Sequence, residues 1–558
     1  MPSLLVPKLC GADVELGNFA LGAGRYWTTC FEASRALLRH IPGVSRGFDG
    51  WSSHGRWAPA YRPDYSGSYS APGRPYQAAS RTYPAYYDYY GGHYSEWGRK
   101  FLPANGGCVY IDLDHLELCL PEVLSAWDHV AAWHAMLRIA RAALEAANAE
   151  CPRERRICVL VNNSDGQGNS YGSHLDFLIS RRAWDNIFHR KLHYLLFLAS
   201  FQVSSVIFTG QGKVGSENGA PPADYQLSQR ADFFEMLLGP QTTYRRPLVN
   251  SRDESLCAAH PDFARLHVIF FDNTLAHTAC LLKVGAMQIL LAMIEAERVC
   301  PRLILEDPLE AVLTFSHDPT LQARARTVDG RQLTALELQW EFCEQMRSFV
   351  EEGACEGIVP GAADIVALHE DTLRKLKARD FRSLAGRLDW VLKLILLERA
   401  LRQRPGASWT SPQAKHLDHI YSSLDPSEGL YWAYESAGLI ERVVSEQAIE
   451  RFVHEPPENT RAWTRAMLLR RAAEAVDDVD WDRIRFRFRG PRFWPVWREI
   501  VLDDPLGWTR QATEQAFAQS RELTELINAL QPAQGSDADP AGSRQSDGGW
   551  HETERLLQ

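Results

Sequence analysis

Apolar and polar positions alternate most regularly along Cys108-Val-Tyr-Ile-Asp-Leu-Asp-His-Leu-Glu-Leu-Cys-Leu-Pro-Glu122. Val109, Ile111 and Leu113 share one parity and Tyr110, Asp112 and Asp114 the other, which predicts a strand with one buried and one polar face. On that reading Tyr110, Asp112 and Asp114 project together, and His115, Glu117 and Glu122 follow within about one more strand length. Gly11-Ala-Asp-Val-Glu-Leu-Gly17 shows the same alternation over a shorter run, with Asp13 and Glu15 on one face. Arg156–Asn162 and Leu266–Asn273 read as further strands, the second with a polar end. Between them, Asn162 to Asp176 is a turn-rich loop whose glycines let backbone N–H groups approach an anion. Val203 to Gly215 reads as a strand or helix end running into a second Gly-rich loop. Its glycines lack the GxxxxGK[ST] spacing of a phosphate-binding P-loop.

Elsewhere a period of three to four residues replaces the alternation. It predicts helices over 24–40, 121–150, 274–298, 333–352, 369–378 and 384–403. The main domain therefore spans 1–410. A small helical unit is expected over 411–490, with a short basic strand at Arg485–Arg489, then a helical extension over 491–530. Polar, Gly/Ser/Asp-rich composition after residue 531 predicts a disordered tail. From Gly47 to Lys100 the chain is Gly, Pro, Ser, Arg and Tyr, and ten of its nineteen tyrosines fall there. Such a segment cannot bury enough apolar area to form a core, so it is expected to be a mobile insert between Asp13 and Asp112 that gates the site.

Composition narrows the function classes. With 558 residues the chain exceeds one ordinary domain, and 45% hydrophobic with 23% charged residues is the balance of a soluble globular protein. A net charge of −10 argues against a surface that coats nucleic acid. The eleven cysteines form no CxxC pair, a pattern that predicts reduced thiols in the cytoplasm. No signal peptide and no membrane span are expected, because no basic segment precedes an apolar core and no run of about eighteen apolar residues is evident. The acids crowded on predicted sheet faces are hard oxygen ligands, the donors that Mg²⁺-nucleotide chemistry uses.

In their order along the chain these motifs resemble the Pup ligase/deamidase family, which attaches the prokaryotic ubiquitin-like protein Pup to lysines or removes it. Gly11–Gly17 resembles the family's GIETEYG, Tyr110–Glu122 its YVDHAHPEYSxPE, and Asn162–His174 its NNTDGxGxSYGxH. Phe208–Gly215, Gln226–Asp232, Thr243–Glu254 and Leu266–Asn273 match its FTGAGxVG, QISQRAD, TLRRPIINTRDE and LHVIxGDAN. Leu388–Trp390, Leu417-Asp418, Asp425-Pro426 and Thr460-Arg461 follow in the family's order.

The resemblance implies an α+β fold, a glutamine-synthetase-like curved antiparallel sheet backed by helices, plus a small C-terminal helical domain. It implies ATP and Mg²⁺ held on the polar face of the sheet, and Pup or a Pup-like protein and pupylated proteins as partners. Position by position, Asp112 would be the catalytic aspartate. Asp13, Glu117, His174 and Asp176 would form the metal set. Tyr110 and His267 would lie at the nucleotide, and Arg245, Arg246 and Arg252 would supply cations to phosphate and to the substrate carboxylate.

Three departures stand out: Asp13 replaces the family's Glu, His174-Leu175-Asp176 replaces its HEN, and His277 replaces the acid after GDAN. The insert after Asp13 and the spacing Asp112-x-x-His115-x-Glu117 are the deamidase/depupylase form. The alternatives are a Pup–protein ligase, or a divergent ATP-dependent carboxylate-amine ligase acting on another substrate.

Overall fold

Eight strands build one antiparallel sheet. Its order is the edge strand Phe263–Val268, β7 (His174–Ser180), β1 (Cys10–Ala20), β5 (His115–Cys119), β4 (Cys108–Asp112), β3 (Trp97–Phe101) and β2 (Val44–Ser45), with β6 (Ile157–Leu160) also paired to β1. The central strand β1 pairs β5 through residues 13–16, β7 through 10–13 and β6 through 17–20. The computed structural model describes residues 5–22, 26–45, 97–253, 261–404, 406–490 and 494–531. Most of the expected mobile insert, and the tail after residue 531, lie outside the described residues. Trp97–Lys100, placed in that insert by composition, belong to β3.

Strand parity divides the sheet into two faces. Ala12, Val14, Leu16, Val109, Ile111, Leu116, Leu118, Leu175, Phe177, Ala264, Leu266 and Val268 all enter the main hydrophobic core. The helices Ala126–Glu150 and His277–Glu295 cover this face. Trp133 and Cys280 line one small cavity together with Ala12, Val14 and Leu175. Ser125 starts the first helix by accepting a hydrogen bond from the Asp128 N–H, which satisfies a donor the helix end leaves open. His277–Glu295, within the helix expected over 274–298, is long and apolar enough to cross a membrane by length and composition, and it is buried in the protein core.

The alternation over residues 108–122 spans two strands rather than one. Leu113 takes a left-handed conformation at φ 51°, the chain reverses, and Asp112 pairs with His115 and Tyr110 with Glu117. A two-residue turn changes parity, so His115 and Glu117 join the face of Tyr110 and Asp112. Asp114 lies in the turn instead, where its backbone carbonyl accepts from Asn18 Nδ2 and Ser34 Oγ. The ambiguous Val203–Gly215 segment is a helix end, Leu192–Ser204 followed by Val206–Thr209.

The expected boundary near residue 411 falls inside the first core. Tyr421, Tyr431, Trp432, Ile449 and Phe452, on the helices Pro412–Tyr421, Leu430–Ser436 and Glu446–His454, pack with the main sheet's core. A second core gathers Leu468, Val479, Ile484, Phe486, Ile500 and Ile527 against Phe101, Cys108, Tyr110 and Cys119 of the main sheet. It is not purely helical. Val476–Val479, Arg483–Arg489 and Pro495–Val501 form a three-stranded antiparallel sheet before the helices Arg510–Gln519 and Leu523–Leu530. Ile484 and Phe486 point inward while Arg483, Arg485 and Arg487 face solvent, the alternation visible in the sequence. Pro495 opens an edge strand, where its missing N–H removes no ladder bond from the centre of a sheet.

Candidate active site

The side of the sheet away from the helices carries the polar parity of five adjacent strands. Asp13 and Glu15 come from β1, Tyr110 and Asp112 from β4, and Glu117 from β5. His174 and Asp176 come from β7, and His267 from the edge strand. Cross-strand registers bring these groups together: Glu15 opposes Glu117, Asp13 opposes His174, and Asp176 opposes His267. Ligand atoms of Glu15, Asp112 and Glu117 lie within 4.8 Å of one another, as do those of Asp13, Asp176 and His267, and those of Asp13, Glu117 and Cys119. Asp13 and Glu117 appear in more than one of these sets, so the carboxylates form one continuous cluster.

Such crowding is unfavourable for like charges. Burial, and then the neighbouring Asp176, push the Asp13 carboxyl up to about 8. Burial and the charges of Asp112, Asp13 and Glu15 drive Glu117 well above the ordinary range. Burial acts against Asp176 too, but Arg265 and His267 overcome it and hold this carboxyl below its usual value. In a pair this close, one carboxyl keeps the proton and the other the charge. His267 Nδ1 lies 2.9 Å from Asp176 Oδ1, which fixes the ring, and leaves the buried Nε2 with no hydrogen-bond partner. Burial and the nearby His267 lower His174 well below its usual value, so it is neutral. Tyr110 hydrogen-bonds Glu117 and carries the Arg99 guanidinium 4.6 Å above its ring.

A hard dication fits this donor set. It would neutralise the carboxylates that now share protons, and it prefers the oxygen ligands that dominate the cluster. Asp13 belongs to both halves of the cluster, so a dication would be held by Asp13 with Asp176 and His267 on one side or with Glu117 on the other.

The flanking loop is held close to this cluster by glycine. The Gly172 N–H donates to Glu15 Oε2, and a Cβ at Gly172 would lie 2.9 Å from His174 Nε2 and 3.1 Å from Glu15 Oε2. Asn163 Nδ2 donates to the carbonyls of Tyr171 and Gly172 at 3.0 and 3.1 Å. Arg230 donates to the carbonyls of Tyr171 and Ile269. Arg246, expected to face phosphate, instead donates to the carbonyls of Ser170 and Thr242 and is buried. Arg245 beside it is exposed, and Arg252 is half-buried near His267, whose proton affinity is lowered by burial first and then by Arg265 and Arg252. Asp272, from the LHVI…DN motif, accepts from the N–H groups of Gln211 and Gln229 and from Ser228 Oγ, so three of the recognised motifs meet in one scaffold.

The sequence placed Glu15 beside Asp13 without giving it a role, and it did not point to Arg265, Cys119 or Arg99. Arg265 was detectable by its parity with His267. Cys119 and Arg99 required the sheet order, which pairs β5 with β1 and β3 with β4. Glu122 belongs to another system. It sits between Arg461 and Arg465, with Arg461 Nε at 2.8 Å and Arg465 Nη1 at 3.1 Å from Oε1.

The acidic face of a helix-backed antiparallel sheet offers the oxygen donors that hold a hard cation and the anionic group it carries. The sequence model of the family described as "Pup-ligase protein" matches residues 64–485, and the chain belongs to that family. It is 35% identical over 429 residues to a depupylase of Acidothermus cellulolyticus, covering 76% of this chain and 82% of that protein. It is 36% identical over 407 residues to a Pup–protein ligase of Acidimicrobium ferrooxidans, covering 72% and 85%. A Pup deamidase/depupylase of Mycolicibacterium smegmatis is 35% identical over 386 residues, covering 69% and 75%. Among solved structures, the ligase PafA in complex with Pup superposes with a TM-score of 0.70 at 24% identity, covering 98% of this chain and 99% of that one. PafA in complex with ADP gives 0.65 at 26% identity, covering 83% and 97%. The α+β fold implied by the resemblance is thereby shown.

Proposed function

We propose that this chain is an ATP- and Mg²⁺-dependent deamidase/depupylase, which hydrolyses the C-terminal Gln amide of Pup or the isopeptide bond between Pup and a lysine. The observation that carries this reading is the placement of Asp112. It is half-buried at the end of β4, with Glu15 and Glu117 within 4.8 Å. Mg²⁺ and nucleotide, when bound, would supply charge neutralisation and carbonyl polarisation. Asp112 would then attack the amide carbonyl or take the proton of the attacking water. Cleavage breaks the C–N bond, leaves a carboxylate on Pup, and releases ammonia from Gln or the amine from a lysine conjugate. Tyr110 orients Glu117, Asp176 fixes the tautomer of His267, and the exposed Arg245 is the available guanidinium for an anionic group on the substrate.

Relatives named for either activity match at nearly equal identity, so the choice between them rests on two features of the chain itself. The Asp112-x-x-His115-x-Glu117 spacing closes the β4–β5 hairpin, and the long segment after β1 separates it from β4. In the alternative, the ligase reading, a glutamyl phosphate forms on Pup and a lysine attacks it. The ten described cysteines are all free thiols, which supports a reducing compartment such as the cytoplasm.

The test is to supply the protein with ATP, Mg²⁺ and, separately, Pup ending in Gln, a Pup–lysine conjugate, and Pup ending in Glu with a lysine acceptor. Conversion of Gln to Glu and release of free Pup are expected, without ligation. Ligation alone would establish the alternative, and ATP binding without turnover on any of the three would remove Pup as the substrate.

A further inference from the structure

The helix layer on the other side of the sheet holds a second cluster of ligand-type side chains. His134 lies on the helix Ala126–Glu150, His277 is the first residue of the helix His277–Glu295, and Glu435 lies on Leu430–Ser436. One ligand atom from each falls within 4.8 Å of the other two. The two imidazoles sit with ring centroids 4.1 Å apart, and His277 Nε2 is 3.9 Å from Glu435 Oε1, beyond hydrogen-bond reach. His134 is 3% exposed and His277 is fully buried, yet His134 Nε2 and both ring nitrogens of His277 have no hydrogen-bond partner.

Buried polar atoms are nearly always paired, so three orphaned imidazole nitrogens at one point require an explanation. Burial keeps both rings uncharged: His277 is pushed down to about 4, and His134, also beside His277, well below its usual value. A neutral imidazole offers a lone pair, which is the form that binds metal. Arg442 donates to Glu435 Oε1 at 2.9 Å and holds that carboxylate at the edge of the cluster. Arg138 and Glu446 also face this region and nearly balance each other in charge.

We propose that His134, His277 and Glu435 form a structural site for a transition-metal dication of the zinc type, separate from the carboxylate face. Two nitrogen donors and one oxygen suit zinc or cobalt, whereas magnesium and calcium favour all-oxygen shells. Bonds of about 2 Å place tetrahedral ligands roughly 3.3 Å apart, so side-chain rotations closing at most about 1.5 Å complete the site. Glu435, the most exposed of the three, marks the side on which water fills the fourth position. The ion would pin the helix Leu430–Ser436 to the two helices that back the sheet. This proposal is independent of the choice between depupylase and ligase.

The test uses the full-length protein, stripped by chelator and titrated with Co²⁺ and then Zn²⁺ in saturating Mg²⁺. One equivalent of Co²⁺ is expected to give the ligand-field absorption of a four-coordinate nitrogen/oxygen site and to be displaced by Zn²⁺, and Zn²⁺ should raise the melting temperature. His277→Gln and Glu435→Gln should each weaken Zn²⁺ binding at least tenfold, and Asp13→Asn should leave it unchanged. Absence of a stoichiometric Co²⁺ spectrum, or a spectrum lost in Asp13→Asn and kept in His277→Gln, overturns the proposal. If His277→Gln does not fold, unchanged Zn²⁺ affinity in Glu435→Gln overturns it instead.

Discussion

Arg245 and Arg246 are adjacent in sequence and differ in every physical respect that matters. Arg246 is buried with its guanidinium on the carbonyls of Thr242 and Ser170, whereas Arg245 is exposed in a left-handed conformation at φ 46°. Arg246→Ala is expected to destabilise the fold by about 1–3 kcal/mol, because it leaves buried acceptors unsatisfied. Arg245→Ala should leave the unfolding midpoint unchanged and weaken the affinity for the anionic substrate. Urea unfolding and titration of each variant separate the two outcomes, and a reversed pattern would exchange their roles. Asp13→Ala and Glu117→Ala are expected to weaken Mg²⁺-ATP binding, and calorimetry showing unchanged affinity in both would remove them from the metal site. Strand parity made Asp13, Glu15 and Asp112 legible on polar faces, whereas Glu117 has the apolar parity of a single strand and was reached through the family motif. The duty of an arginine was not legible, since sequence cannot tell whether its partner is a phosphate or a backbone carbonyl.

The β4–β5 hairpin shows how far alternation carries and where it stops. Leu113 is apolar and not a turn residue by composition, so the reversal at φ 51° is signalled only by the flanking Asp112 and Asp114, which the alternation reads as strand residues. The reversal restores Glu117 to the face of Asp112, so the set of acids survived although the element was misread. Beyond β5, Glu122 anchors the second core: Arg461 and Arg465 bond its carboxylate, and Arg465 also bonds the carbonyls of Gly106 and Trp481. Burial would raise the Glu122 carboxyl, but Arg465 and Arg461 bring it down to about 2. A folded-state value below the ordinary one means that its stabilisation is complete above about 4.5 and is lost as pH falls toward 2. Glu122→Gln should remove that acid dependence and lower stability by about 3–5 kcal/mol, because two buried guanidinium groups lose their counter-ion. Unfolding midpoints of the two proteins at neutral and at acid pH check this. An identical acid slope in both would show that the trio does not hold the second core.

The strands that carry Asp13, Asp112 and His267 and the two helices behind the sheet were readable from alternation and apolar period, whereas β2, β3 and β7 were not. The partition of the chain was not readable either. Composition changes near residue 411, but burial of Tyr421, Tyr431 and Trp432 keeps the next helices in the first core. The strand Pro495–Val501 shows only weak apolar alternation and carries exposed Trp497 and Val496, so the sequence read it as helix. Long-range pairing with Arg483–Arg489 makes it a strand. What joins fold to function is the convergence of β1, β4, β5, β7 and the edge strand on one acidic face with Asp112 at its margin. The most direct test is the rate of Gln-to-Glu conversion on Pup by Asp112→Asn, with ATP affinity measured on the same preparation. Turnover should be abolished while ATP affinity stays within about tenfold, roughly 1.4 kcal/mol. Wild-type turnover in Asp112→Asn would contradict the account and leave Asp112 a structural strand residue.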